Sequence, residues 1–123
     1  MVDFQNSKFV KLSKNDGAFD KEITPILANE EIIVASYKAM RDGAVFTNKR
    51  VFLINSQGIS GSKKDITSLP YSKIQAFSVE NAGIFDRDSE LEMYFSGLGK
   101  VCLEFSGNTN ITEICKIISI FTL

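Results

Sequence analysis

The spacing of apolar residues changes along this chain, and each change marks an element. Between Asp16 and Ala28, the residues Phe19, Ile23, Ile26 and Leu27 recur at helical spacing, which predicts a short N-terminal helix. Pro25 interrupts it. Either it kinks the helix, or it opens a final short turn with Thr24 as cap. From Glu31 the period is two. Residues 31–38 read as a strand with Ile33, Ala35 and Tyr37 on one face. After a turn at Arg41-Asp42-Gly43, Ala44–Thr47 and Arg50–Ile54 form a hairpin around Asn48-Lys49, because asparagine tolerates the positive φ of a tight turn. Val51-Phe52-Leu53-Ile54 is apolar at every position, which predicts a strand covered on both faces.

Gln57-Gly58 turns the chain again, residues 59–68 read as a polar strand ended by Pro70, and residues 71–80 as a long strand. A loop over 81–89 leads to clean alternation. Leu91, Met93 and Phe95 point inward against Glu90, Glu92 and Tyr94, and after a turn at Gly97 and Gly99 so do Val101, Leu103 and Phe105. The last segment is the strongest helix. Asn110 is its N-cap with Glu113 three residues on, and Ile111, Ile114, Cys115, Ile118 and Phe121 form one stripe that Ile117 widens. Residues 1–15 have only Phe4, Phe9, Val10 and Leu12 as anchors and read as a loosely ordered arm before a single domain over 16–123. A helix, about seven antiparallel strands and a helix fit a mostly β, bent barrel or sandwich whose end the last helix caps.

Composition narrows the function more than the fold. At 123 residues, 44% hydrophobic and 24% charged, the chain supports one folded core. Its net charge of −1 gives no excess of cations to neutralise phosphates, so nucleic acid is not expected as a partner. The start lacks the basic and apolar regions of a secretion signal, and no apolar run approaches the ~18 residues that span a bilayer, so a cytoplasmic location is expected. Cys102 and Cys115 are too few for a disulfide framework.

There is no histidine, which removes the commonest general base and zinc ligand. Cys115 falls on an apolar stripe and reads as an inert buried thiol; Cys102 points to the polar side of its strand. The run Asp86, Asp88, Glu90, Glu92 starts like a calcium loop, but the sixth position is Leu91 and the twelfth Gly97, so a solvated strand face is the better reading. The same acids as a glycosidase-like pair lack a substrate cleft. The glycines and lysines from Gly58 to Lys64 lack P-loop spacing and are followed by a strand, and Asn110-Ile111-Thr112 serves as a helix cap. Lys38, Arg41, Lys49, Arg50, Lys63, Lys64 and Lys73 are interleaved with acids and read as dispersed solvated charge. No catalytic residue, metal site or cofactor is expected.

Phe46-Thr47-Asn48-Lys49-Arg50, the stretch from Gln57 to Lys64, and above all Pro70-Tyr71-Ser72-Lys73-Ile74 and Phe77 through Leu91 resemble bacterial pleckstrin-homology (PH) domains, and Pro25-Ile26-Leu27-Ala28 also fits. The resemblance runs from about Asp20 to the C-terminus. It implies a seven-stranded, strongly bent barrel capped by a C-terminal helix, no catalytic residues and a tendency to ring-like self-assembly. In eukaryotic relatives of the fold, basic residues between the first two strands bind phosphoinositides; the corresponding positions here are Lys38 and Arg41, the candidate headgroup contacts. Phe85, in the crossing loop, is the candidate self-association contact. The expectation is a binding or scaffolding module acting on an unidentified protein partner and on its own copies, with a peripheral membrane module as the alternative.

Overall fold

The computed structural model describes residue 1 and residues 9–58, 62–80, 88–107 and 109–123. Its strands are β1 (Phe9–Lys14), β2 (Ile33–Lys38), β3 (Asp42–Thr47), β4 (Arg50–Gln57), β5 (Lys63–Pro70), β6 (Ile74–Glu80), β7 (Ser89–Phe95) and β8 (Gly99–Phe105). The helices are α1 (Asp20–Ile23), continued by a 3-10 turn over Thr24–Ile26, and α2 (Ile111–Thr122); a second 3-10 turn, Tyr71–Lys73, joins β5 to β6. The strands form one sheet in the order β5-β4-β3-β2-β1-β8-β7-β6, which does not close.

The bent sheet holds its main core on the inner face. Tyr37 packs edge-on against Phe46 and Phe105, with ring centroids 5.7 and 5.1 Å away. Leu91, Met93, Val101 and Leu103 face them, and Ile111, Ile114, Ile117 and Ile118 of α2 close the end. Asn110 Oδ1 accepts from the Glu113 N–H, the expected cap. The Glu113 carboxylate does not complete the capping box; it pairs with Lys14 at 3.4 Å. A smaller cluster lies on the outer face, where Phe19 and Ile23 of α1 cover Val45, Phe52 and Ile54. The continuous apolar run of β4 is therefore covered on both sides, as its pattern predicts.

Four differences from the sequence reading have physical causes. Residues 9–14 are not a loose arm: they form β1, antiparallel to β2 and parallel to β8. This strand is the addition to the expected set of about seven. Its buried anchors Phe9 and Leu12 are three apart because a bulge intervenes, with Lys11 at φ 57°, so the period of two is hidden. Second, α1 is shorter than the predicted helix. Pro25 sits in the 3-10 turn, Thr24 makes no side-chain cap, and Ile26 is exposed. Third, a bulge between Ile33 and Ala35 sends Ile33 to the outer cluster while Ala35 and Tyr37 stay in the main core. Fourth, Pro70 lies inside a strand, at the last position of the edge strand β5, where a missing N–H costs no ladder bond on the free side.

Candidate functional site

The hairpin between β3 and β4 turns without positive φ at Asn48 or Lys49. Side chains hold it instead. Thr47 Oγ1 accepts from the Lys49 and Arg50 N–H groups, each at 3.0 Å. Asn48 accepts from the Ile32 N–H at 2.9 Å and donates to the Glu30 carbonyl at 3.0 Å. Glu31, whose side chain is fully buried, sits beneath this turn. Its carboxylate accepts from Arg50 Nη2 at 2.7 Å and Nε at 2.9 Å, from Thr47 Oγ1 at 2.7 Å and from the Ala28 N–H at 2.9 Å. Burial pushes its pKa up, but the bonds from Arg50, Ala28 and Thr47 and the Arg50 charge outweigh burial and hold it at about 2. Arg50 also donates to the Ile26 carbonyl and Ser68 Oγ and lies 4.3 Å over the Phe52 ring. Tyr71 Oη donates to the Thr47 carbonyl at 2.8 Å, and burial, with the Glu31 charge added, raises its pKa. This hub ties the N-terminal turn, β3, β4 and β5 together. Sequence reading missed it: it placed Arg50 with the dispersed charges and gave Glu31 no role, and no signal in either local sequence joins the two.

A basic cleft opens at the other end of these strands. The turn between β2 and β3 is closed by the Ala39 N–H donating to the Asp42 carbonyl at 2.8 Å. Arg41 Nη2 donates to the Gly58 carbonyl at 2.6 Å, and the Ser56 N–H donates to the Arg41 carbonyl at 2.9 Å. These bonds fix the Arg41 guanidinium beside the turn after β4. Lys38, Arg41, Lys64 and Ser56 line a cleft of about 240 Å3, together with the acids Glu22 and Asp42. Of the seven basic residues read as dispersed, three gather here. Arg50 is committed to Glu31, and Met40 at the hairpin tip is 96% exposed.

The two outer strands differ as surfaces. β5 begins with exposed Lys63 and Lys64, ends in Pro70, and has the Met1 amino group on Asp65 at 2.7 Å. β6 runs Ile-Gln-Ala-Phe-Ser-Val-Glu with no charge before Glu80; Ala76 and Ser78 are exposed and Phe77 and Val79 half-buried. Among the described residues, no strand pairs with its free side. Phe85 and Asp86 lie outside the described residues. Asp88 is exposed, while Glu90 and Glu92 face outward on β7 beside Cys102 of β8, with their ligand atoms within 4.8 Å of one another. Lys100 stands 3.9 Å from Glu92. Cys115 is half-buried against the main core, and burial pushes its thiol pKa up.

The family model described as "Bacterial PH domain" matches residues 3–122. The chain belongs to the bacterial pleckstrin-homology family. It is 42% identical over 104 residues to the uncharacterised protein YjqA of Bacillus subtilis, covering 83% of each chain. A crystal structure of a DUF1696 family protein with a pleckstrin-homology domain from Shewanella loihica is similar with a TM-score of 0.81 and 37% identity, over 93% of this chain and 99% of that one. A pleckstrin homology domain from Shewanella amazonensis is similar at a TM-score of 0.68 and 39% identity, over 96% of this chain and 93% of that one. The cleft that Lys38 and Arg41 line is formed at the turn between β2 and β3 together with Glu22 of α1, Ser56 of β4 and Lys64 of β5.

Proposed function

We propose that this bacterial PH domain is a non-enzymatic binding module that acts through protein contacts, including contacts between its own copies. The free edge of β6 carries the reading. It offers backbone donors and acceptors beside half-buried Phe77 and Val79, with neither proline nor interior charge to blunt pairing. A β6 edge that meets a different surface of the next copy makes a head-to-tail contact, and such contacts close into a ring when the rotation divides the circle. Phe85 follows β6 in the chain and adds an apolar contact in this reading. The absence of histidine from the sequence, the raised thiol of Cys115 and the commitment of Glu31 to Arg50 support a module without chemistry of its own.

Light scattering on a size-exclusion column tests this directly. The expected mass is a discrete multiple of the 13.7 kDa chain that falls to a single chain in Ala76→Lys/Ser78→Lys, both exposed positions on β6. A single-chain mass across the micromolar range for the unaltered protein would refute self-association. The second reading is a peripheral membrane module for anionic headgroups. The convergence of Lys38, Arg41 and Lys64 with the Ser56 hydroxyl around one cleft favours it.

A further inference from the structure

Among the described residues, a stretch of strand inside the sheet also lacks a neighbour on one side. β1 pairs with β2 only at Ser13–Lys38 and Lys14–Tyr37. One residue further, the Asn15 N–H donates to the Ser36 carbonyl at 2.8 Å and Asp16 Oδ1 accepts from the Ser36 N–H at 3.2 Å. There the chain leaves β2 and turns into α1. Toward the start of β2, no described strand pairs on that side. Val34 has no register partner on β3 either, because the bulge falls on it. Val34 and Ile32 are 39% and 62% exposed.

The space beside them is a cleft of about 430 Å3 between the N-terminal helical segment and β2. Leu27, Ile32 and Val34 give it an apolar lining, and Asp16 and Asp20 add exposed carboxylates. Ser36 lines it too, and its hydroxyl is buried and without a hydrogen-bond partner among the described residues. The surrounding chain is acidic: residues 16–31 hold Asp16, Asp20, Glu22, Glu30 and Glu31 against Lys21. Lys14 reaches Asp16 at 4.0 Å but is nearer Glu113, at 3.4 Å, and Asp20 has no ion-pair partner among the described residues.

We propose that this cleft binds an extended peptide segment of a partner protein, laid beside β2 as an added strand, with a basic residue against Asp16 and Asp20 and an apolar one against Leu27, Ile32 and Val34. A strand supplies what the cleft lacks. Its backbone meets the edge of β2 at Val34, beyond the Asn15 and Asp16 bonds to Ser36, and its alternating side chains meet the apolar and the acidic lining in turn. Anionic headgroups and nucleic acid are repelled by the same carboxylates, and a wholly apolar ligand leaves them unpaired. The assignment rests on the reading of the domain as a protein-contact module and not on pairing through β6.

The probe is an acetylated synthetic decapeptide of alternating lysine and valine, with a glutamate-valine peptide as control. Binding is followed by fluorescence anisotropy and by amide chemical shifts, in the unaltered protein and in Ala76→Lys/Ser78→Lys. The expected result is binding of the lysine peptide in both proteins, with shifts concentrated at Ile32–Ser36 and none from the glutamate peptide. Asp16→Lys/Asp20→Lys should weaken binding about tenfold or more, and Asp20→Lys alone, which leaves the Asp16–Ser36 bond in place, should weaken it with an unchanged thermal midpoint. Val34→Pro, which removes a donor at a residue outside the β3 register, should weaken it as well. Equal binding of the two peptides, shifts centred on another surface, or no binding at about 1 mM peptide would overturn the proposal. So would self-association that disappears in Asp16→Lys/Asp20→Lys, because it would give the cleft to a second copy of the chain. Retained peptide binding in the β6 variant separates this site from failure of the self-association reading.

Discussion

Replacing Glu31 with glutamine removes one charge from the hub while keeping a carbonyl acceptor in nearly the same volume. The carboxylate is fully buried and takes four hydrogen bonds, two from Arg50 and one each from Thr47 and Ala28. Its pKa is about 2 against an ordinary 4.5, and each unit of difference corresponds to about 1.4 kcal/mol of linkage free energy. The ionised carboxylate therefore contributes about 3 kcal/mol. The pKa is lower in the folded state, so this contribution is full above the unfolded value of 4.5 and is lost as pH falls from there toward 2. At neutral pH, Glu31→Gln should cost about 2–4 kcal/mol, near the lower end for a broken buried pair because the Arg50 side chain keeps 23% exposure and can reach water. Denaturant titrations of both proteins from about pH 7 down to about pH 2 measure the difference. It should be constant above about pH 5 and shrink by most of its value at the acid end. Comparing the two proteins at each pH isolates the Glu31 contribution. A difference that stays constant down to about pH 2 would refute the assignment of a depressed pKa to Glu31, and Arg50→Lys, which loses the Nε bond and the planar contact on Phe52, should be destabilising although charge is kept.

Three further outcomes are expected. A Cβ built on Gly43 overlaps the Phe19 ring, so Gly43→Ala should cost about 1–3 kcal/mol by denaturant midpoint and Phe19→Leu should recover part of it; no loss would mean that α1 does not press on β3 as described. Ile114→Ala and Ile118→Ala remove fully buried side chains of α2 and should each cost about 2–5 kcal/mol, and unchanged midpoints would detach the helix from the core. Sedimentation with anionic vesicles at physiological salt should show weak or no binding, whereas strong binding lost in Lys38→Glu or Arg41→Glu would make the membrane reading the leading one.

The residues that alternate without interruption were legible, and those beside a bulge were not. Leu91, Met93, Phe95, Val101, Leu103 and Phe105 all face the core as their period of two requires, and β7 and β8 pair in unbroken register. β1 carries comparable anchors, yet its bulge puts Phe9 and Leu12 three apart, a spacing that no strand template recognises. The hub was illegible for another reason. Glu31 and Arg50 are separated by a strand, a turn and a hairpin, and nothing in either local sequence says that their side chains meet. The same holds for the basic cleft, where Lys64 joins Lys38 and Arg41 only because β5 pairs back along β4.

Net charge misleads for a related reason. A total of −1 argues against phosphate partners only if the charges are mixed on the surface. The fold separates them. Acids gather around the N-terminal segment beside β2, and cations around the hairpin end of β2, β3 and β5. A near-neutral chain thus presents a negative cleft and a positive one on either side of α1, since Asp20 lines the first and Glu22 the second. Ionic strength distinguishes these surfaces from the third. Binding to either cleft must weaken as salt rises through the screening range, because each depends on charges at an exposed rim. If β6 pairs with another copy as proposed, that pairing rests on backbone hydrogen bonds and on Phe77 and Val79, and it persists under the same salt.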